Sequence, residues 1–355
     1  MKTRILITGG AGFVGSSLAI AFREKYPEYE IICFDNLRRK GSELNLNRFI
    51  ATGIRFVHGD IRNKEDFQSI GAVDSVIECS AEPSVLAGIN STVDYLLNTN
   101  LVGTINCLEF AKNNKASFVF LSTSRVYPIE PIEQLLFTES KNRFELTDIQ
   151  NLTGVSSKGI AEKFTLEGYR SFYGASKLSS ELLITEYNHF YGLKSVINRC
   201  GVLTGPWQMG KVDQGVVVLW LAKHFWKKKL SYIGYGGEGK QVRDMLHVKD
   251  LFRLVDWELH NIDKVNGMTL NAGGGREVSV SLKELTALCQ QITGNIIPID
   301  SVPENRQADI RIYLTDNSKI SKITGWKPTI SSKEILEDIY LWLRENQNAL
   351  EPILS

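Results

Sequence analysis

The sequence predicts an α/β chain built on a doubly wound parallel sheet, with a smaller mixed α/β lobe after it. Three observations carry that expectation: apolar runs alternate with helix-length stretches through the first two hundred residues, a glycine-rich turn follows the first run directly, and beyond Gly205 the pattern changes to glycine clusters and shorter runs. Taken in order, the runs are 4–8 (RILIT), 30–35 (EIICFD), 54–60 (IRFVHGD), 73–79 (VDSVIEC), 116–122 (ASFVFLS) and 194–199 (KSVINR). Their largely continuous apolarity suits strands buried on both faces. Between them, 13–26, 91–113 and 171–191 are long enough for helices that cover a sheet face. After Gly205, the clusters GYGGEGK (234–240) and NAGGG (271–275), the short run MTLNAG (268–273), and amphipathic segments near 282–293 and 332–346 read as the second lobe.

A chain of 355 residues holds about two domains at roughly 150 residues each. Forty-one basic residues against forty acidic ones leave a formal charge of +1, without the basic footprint of a protein that grips phosphate backbones. Nucleic acid is therefore not an expected partner. The apolar run GVVVLWLA (215–222) is far short of the roughly 20 residues that cross a bilayer, so no membrane span is expected. The amino terminus lacks the long apolar region and small-residue cleavage site of a secretory signal, and a cytoplasmic location is the expectation. Five scattered cysteines, odd in number and in no paired spacing, read as reduced small hydrophobes, with no disulfide framework and no metal site.

Directly after the first run comes Thr8-Gly9-Gly10-Ala11-Gly12-Phe13-Val14-Gly15, with Gly9, Gly12 and Gly15 three residues apart. A turn of this kind opening a helix lets backbone N–H groups, here those around Phe13 and Val14, approach a pyrophosphate. Asp35 ends the second run, twenty residues past Gly15. With Asn36 beside it, it is placed to accept hydrogen bonds from an adenine ribose. These features indicate a Rossmann sheet binding a nicotinamide dinucleotide. Asp35 would repel a 2′-phosphate and favours NAD; Arg38, Arg39 and Lys40 argue toward NADP, and the carboxylate outweighs them because it touches the ribose directly. Asp60 and Ile61, ending the third run, are placed for the adenine edge.

Tyr173 and Lys177 stand at i and i+4, one helical turn apart on one face. A phenol with an ordinary pKa near 10 serves as a base at neutral pH only when a cation stabilises its phenolate, and Lys177 supplies that cation while also reaching a nicotinamide ribose. Thr123, ending the fifth run in Leu121-Ser122-Thr123-Ser124, offers a hydroxyl that can hold a substrate oxygen passing between alcohol and ketone.

With these motifs in place, nearly the whole chain resembles the extended short-chain dehydrogenase/reductases. Thr123-Ser124-Arg125-Val126-Tyr127 looks like that family's hydroxyl-bearing motif. Cys79-Ser80-Ala81-Glu82 follows the fourth run where the family packs backbone against the cofactor, so Ser80 and Ala81 are implied cofactor contacts, as is Asn100 in its Asn-x-x-Gly-Thr segment. Asp35 to Gly41, Asp213-Gln214-Gly215 and Gly239-Lys240-Gln241-Val242-Arg243-Asp244 look most like the CDP-paratose 2-epimerase branch. The resemblance implies NAD as cofactor and a nucleotide-diphosphate sugar as partner. It also implies reversible oxidation at C2 of a CDP-linked deoxyhexose, and a homo-oligomer, dimer or tetramer. Gln214, Arg243, Arg306, Asp309 and Arg311 are the implied substrate contacts, Arg243 pairing with the diphosphate. Residues 1–200 would then bind NAD and 201–355 mainly the nucleotide sugar, with the chain crossing between lobes.

Pro128, Ser171-Phe172 and 200–209 depart from the family pattern, and the stretches 128–172 and 200–209 are expected to line the sugar pocket. Two other enzymes remain open on the same fold, a nucleotide-sugar 4-epimerase and a 4,6-dehydratase. Related dehydratases carry Asp-Glu after the catalytic threonine; Ser124 and Arg125 stand there here, which argues against elimination. A non-catalytic NAD-binding sensor is a further alternative, opposed by the presence of Thr123, Tyr173 and Lys177 together.

Overall fold

The computed structural model describes residues 3–89, 91–210 and 214–355. The chain forms two compact units. One comprises Met1–Val126, Phe172–Arg199 and Leu251–Leu270; the other comprises Tyr127–Ser171, Cys200–Asp250 and Asn271–Ser355. The chain changes unit five times, and 251–270 returns to the first.

The first unit is organised by a seven-stranded sheet. Its strands are β1 (Arg4–Thr8), β2 (Glu30–Asp35), β3 (Arg55–His58), β4 (Ser75–Glu78), β5 (Ser117–Thr123), β6 (Ser195–Cys200) and β7 (Met268–Ala272), in the order β7-β6-β5-β4-β1-β2-β3. Strands β3, β2, β1, β4 and β5 pair in parallel. Strand order reverses beside β1, and ligands of doubly wound sheets bind at such a switch point, off the carboxyl ends of the strands. Residues 4–8, 30–35 and 117–123 are almost wholly buried, as strands covered on both faces must be.

Helices α1 (Phe13–Lys25), α2 (Gly103–Asn114) and α3 (Phe172–Tyr191) belong to this unit. One face of the sheet, with Leu6, Ile32, Val76, Phe118 and Phe120, packs with Leu108 of α2 and Ile184 of α3 into a closed apolar cluster. Two expectations are corrected here. The helix expected over 91–113 is broken into Asp94–Leu97, a π-helical turn Asn98–Val102 and then α2. The Asn100 carbonyl accepts from the Thr104 and Ser180 hydroxyls at 2.8 Å each, and competing acceptor bonds of this kind accompany a widened turn. The run at 268–273, read as part of the second lobe, contributes β7 to the central sheet.

The second unit holds a four-stranded mixed sheet. Val242–His247 pairs in parallel with Val202–Thr204 and Ile312–Tyr313, and antiparallel with Ser279–Ser281. Leu230–Ile233 pairs separately with Ile299–Val302. The amphipathic segments fold as Leu282–Thr293 and Ser332–Glu345, each started by a capping box, Ser281 with Glu284 and Ser331 with Glu334. Among the described residues no helix is long and apolar enough to cross a membrane. Cys33, Cys107, Cys200 and Cys289 are buried and Cys79 is half-buried, none of the five in a disulfide.

Candidate active site

The nucleotide end of the first unit is shaped by backbone crowding. Gly9, with φ +61°, turns the chain off β1, and a Cβ there would lie 2.8 Å from the Ser80 nitrogen and 2.9 Å from the Cys79 carbonyl. Any larger residue would push the turn away from the end of β4. A Cβ on Gly15 would meet the Gly9 carbonyl, so α1 can start this close only with glycine at both places. Gly12 is the N-cap of α1 and offers no side-chain acceptor. The first N–H groups of the helix, Phe13 and Val14 among them, are therefore not capped by a side chain, which is the arrangement that accepts a phosphate. The residues thus fit the pyrophosphate of a dinucleotide.

Asp35 is tied to this turn. Its Oδ2 accepts from the Ala11 N–H at 3.1 Å and its Oδ1 from the Leu37 N–H at 2.8 Å. Burial raises its carboxyl pKa, and the N–H groups of Leu37, Ala11 and Gly12 draw it back. Asn36 donates to Asp60 Oδ2 at 2.8 Å, and Arg62 closes a fork on the same carboxylate at 2.6–3.0 Å. Burial works to raise Asp60, but the Arg62 and Asn36 bonds prevail and hold it at about 2. The Arg62 and Arg38 guanidiniums both lie over the Tyr95 ring, 4.9 and 3.8 Å from its centroid. Sequence reading assigned no role to Arg62 or Tyr95, although Arg62 directly follows the Asp60-Ile61 pair. Ile61 itself is buried against Gly103.

Asn100 is fully buried and its amide is spent within the protein. It accepts from the Glu82 N–H at 2.7 Å and donates to the Glu82 carbonyl and to Ser176 Oγ at 3.1 Å each. These bonds tie the loop carrying Ser80 and Ala81 to α3. Thr123 ends β5, its hydroxyl accepting from the Arg125 N–H at 3.2 Å. Tyr173 and Lys177 lie in the first turns of α3, with Lys177 only 2% exposed and its Nζ 3.8 Å from the Phe120 ring centroid. Below them, Glu181 accepts from Ser122 Oγ and from Arg199 at 2.7–3.2 Å. This buried pair clamps α3 to β5 and β6. Its signal in the sequence is a carboxylate one turn past Lys177, which was missed.

Of the expected substrate residues, Arg243, Arg306, Asp309 and Arg311 gather in the second unit. Arg243 Nη2 donates to Asp309 Oδ1 at 2.8 Å, and its guanidinium also donates to the carbonyls of Val242, Ile310 and Arg311. Arg306 approaches Asp309 Oδ2 at 3.9 Å. Arg311 lies over the Phe137 and Tyr235 rings at 4.4 and 5.2 Å and pairs loosely with Glu133 at 3.8 Å. Tyr235 donates to Glu133 at 3.1 Å; burial and then the Glu133 and Asp309 charges push its phenol well up. Glu133 and Tyr235 join the cluster without having been anticipated, since an arginine's partners from a distant segment leave no mark in local spacing. The other motif residues near Arg243 serve the fold: Lys240 pairs with Glu139 and Glu238, and buried Asp244 accepts from the N–H groups of Gly275 and Thr315. Gln214 is half-buried just before Gly215, which caps Val216–Phe225; Asp213 lies outside the described residues.

Comparison with known proteins gives this geometry its family. Residues 5–273 match the NAD dependent epimerase/dehydratase family. The chain is 32% identical over 349 residues to CDP-paratose 2-epimerase of Salmonella typhi, covering 96% of this chain and 98% of that protein. It is 26% identical to a dTDP-glucose 4,6-dehydratase of Streptomyces niveus, over 99% of this chain and 96% of the other. Among solved structures, UDP-glucose 4-epimerase of Thermotoga maritima with UDP-glucose matches at a TM-score of 0.79 and 25% identity, covering 97% and 100% of the two chains. A dTDP-glucose 4,6-dehydratase from Streptomyces venezuelae, solved with NAD, matches at 0.78 and 27%, covering 99% and 100%. The match over most of the chain, together with the glycine turn and the Thr123, Tyr173 and Lys177 set, means that the chain belongs to the NAD dependent epimerase/dehydratase family.

Proposed function

We propose that the protein epimerises a nucleotide-linked sugar at C2, with a CDP-linked deoxyhexose as substrate. The observation that carries this reading is the 32% identity across 96% of the chain to CDP-paratose 2-epimerase. Ser124 and Arg125 after Thr123 support epimerisation over loss of water, because elimination needs an acid and a base at the sugar and neither residue supplies a carboxyl.

On this reading the first unit binds NAD through the Gly9–Gly15 turn and Asp35. When bound, NAD supplies a reversible hydride acceptor. Thr123 Oγ1 holds the sugar oxygen in place while Tyr173 Oη takes its proton and later returns it. Lys177 stabilises the phenolate from one turn below, and its burial keeps that charge close and poorly screened. The sugar's keto form then presents its other face, and no net oxidation results. In the second unit Arg243, Arg306 and Arg311 are the cations available to the diphosphate and Gln214 is a polar group for the rest of the nucleotide; the resemblance implies a nucleotide contact for Asp309 too, but Asp309 holds the Arg243 guanidinium.

Incubation of the purified protein with CDP-, UDP- and dTDP-sugars, followed by proton NMR, tests the reading. Inversion at C2 of a CDP-sugar is expected. Inversion at C4 alone overturns the C2 assignment, loss of water makes the protein a dehydratase, and no turnover on any sugar with NAD bound favours a sensor.

A further inference from the structure

We propose that Glu78 is a positioning residue for the Lys177 ammonium and acts on Tyr173 only through it. The proposal rests on the reading of Tyr173 and Lys177 given above. Glu78 ends β4, paired in register with Thr8 of β1 on one side and Phe120 of β5 on the other. Laterally paired residues of a sheet share a face, so the carboxyl stands beside the ring over which Lys177 Nζ lies. Both charged groups are enclosed: Glu78 is fully buried and Lys177 nearly so. Glu78 Oε1 accepts from the Thr104 hydroxyl at 2.7 Å, whereas Oε2 has no hydrogen-bond partner among the described residues. A carboxyl so poorly solvated is tolerated in a parallel strand by taking up a proton or by a nearby cation that compensates its charge.

The groups facing Glu78 are Thr8 from β1, Phe120 from β5, Thr104 and Cys107 from α2, and Lys177 from α3. Cys107 is no competitor, because burial and then the Glu78 charge push its thiol far up. Burial raises Glu78 itself to about 7, against the opposing pull of Lys177 and Thr104. The carboxyl therefore changes charge near neutrality. While it is protonated, the Lys177 cation acts undiminished on Tyr173; once it ionises, part of that cation is compensated and Tyr173 holds its proton more tightly.

The test follows phenolate absorbance of the NAD-loaded protein against pH, taking the Tyr173 signal as the difference from a Tyr173→Phe variant. Glu78→Gln keeps an oxygen for the Thr104 hydroxyl and removes the charge. The Tyr173 midpoint is expected to fall by about one pH unit in this variant; coincident curves overturn the proposal. Should Glu78→Gln not fold, Thr104→Val holds the Glu78 carboxyl neutral to higher pH, and the midpoint moves the same way by less; here too coincident curves overturn the proposal. If Tyr173→Phe removes no titrating phenol, the assignment of Tyr173 as base fails and this proposal fails with it. Coincident curves with the Tyr173 signal present sink the role of Glu78 alone.

Discussion

The two units treat the charges nearest the expected chemistry differently, although the second also buries Asp244 and Asp250. In the first, ionisable side chains are sunk into the sheet and helices: Lys177, Glu181, Arg199, Glu78 and Glu258 are all buried, and Arg199 holds Glu181 with both partners at most 7% exposed. In the second, two of the three arginines expected to meet substrate stay partly open, Arg306 at 36% and Arg311 at 25% of side-chain area, on carboxylates they can exchange, while Arg243 is also held by backbone carbonyls. The difference teaches that one end of the chemistry is fixed in advance and the other is held by pairs that can be traded. Preorganised groups suit a proton transfer that must be aligned to a fraction of an ångström, and exchangeable ones suit a ligand that enters and leaves.

The largest effect is expected where the fixed region meets the chemistry. Tyr173→Phe removes the proton-transferring hydroxyl and little volume. Turnover of the nucleotide sugar should fall by roughly 10²- to 10⁴-fold with the circular dichroism spectrum unchanged. Turnover within a few fold of the parent protein shows that another group is the base.

Next in size is the clamp beneath it. Arg199→Ala leaves Glu181 buried without its guanidinium partner, with Ser122 Oγ as its remaining side-chain partner among the described residues. Loss of one partner of a buried pair costs about 3–5 kcal/mol, read as a lower urea midpoint. Because Glu181 anchors α3 one turn past Lys177, the residual turnover of the folded fraction should drop as well. A loss below about 1 kcal/mol would place this pair with the solvent-exposed ones.

How much of this was legible in the sequence follows from where each signal resides. Strands β1 and β2 and the start of α1 could be placed to the residue, because a glycine turn that must touch the end of β4 leaves glycines at fixed spacing. The pairing of Glu181 with Arg199, and the gathering of Glu133 and Tyr235 around Arg311, depend on segments far apart in the chain. Local periodicity carries no record of such meetings. The placement of 268–272 in the central sheet was hidden for the same reason, since a short apolar run looks alike in either lobe. Asn100 shows a different limit: its motif was visible, but its hydrogen bonds to Glu82 and Ser176 give it work inside the protein.

A third test uses pH on the fixed region alone. Glu258 is fully buried, accepts one bond from Asn198 at 2.8 Å, and is raised by burial to about 8 against that bond. A carboxyl whose folded pKa exceeds its unfolded value binds its proton more tightly when folded. Its contribution is thus full below about pH 4, declines as pH rises, and is gone above about pH 8. Glu258→Gln should remove a slope of up to about 1.4 kcal/mol per pH unit from the urea stability of the protein in that window. Parallel stability curves for the two proteins would mean that Glu258 titrates alike in both states.

The smallest effect probes the exchangeable region and separates two roles for Asp309. If Asp309 contacts the nucleotide, as the family resemblance implies, its loss weakens binding. The geometry favours the other role: Asp309 occupies the Arg243 guanidinium at 2.8 Å and also accepts from the Ile310 N–H at 2.9 Å, so an incoming diphosphate competes with it for Arg243. Asp309→Asn keeps an oxygen for both donors and removes the negative charge. Calorimetric titration with CDP should then show binding tighter by roughly two- to fivefold, the small size reflecting a partly solvated pair. The gain should shrink at high salt, where the lost repulsion between carboxylate and phosphate is already screened. Weaker binding instead would assign Asp309 to the nucleotide itself and leave Arg306 and Arg311 as the cations that receive the phosphates.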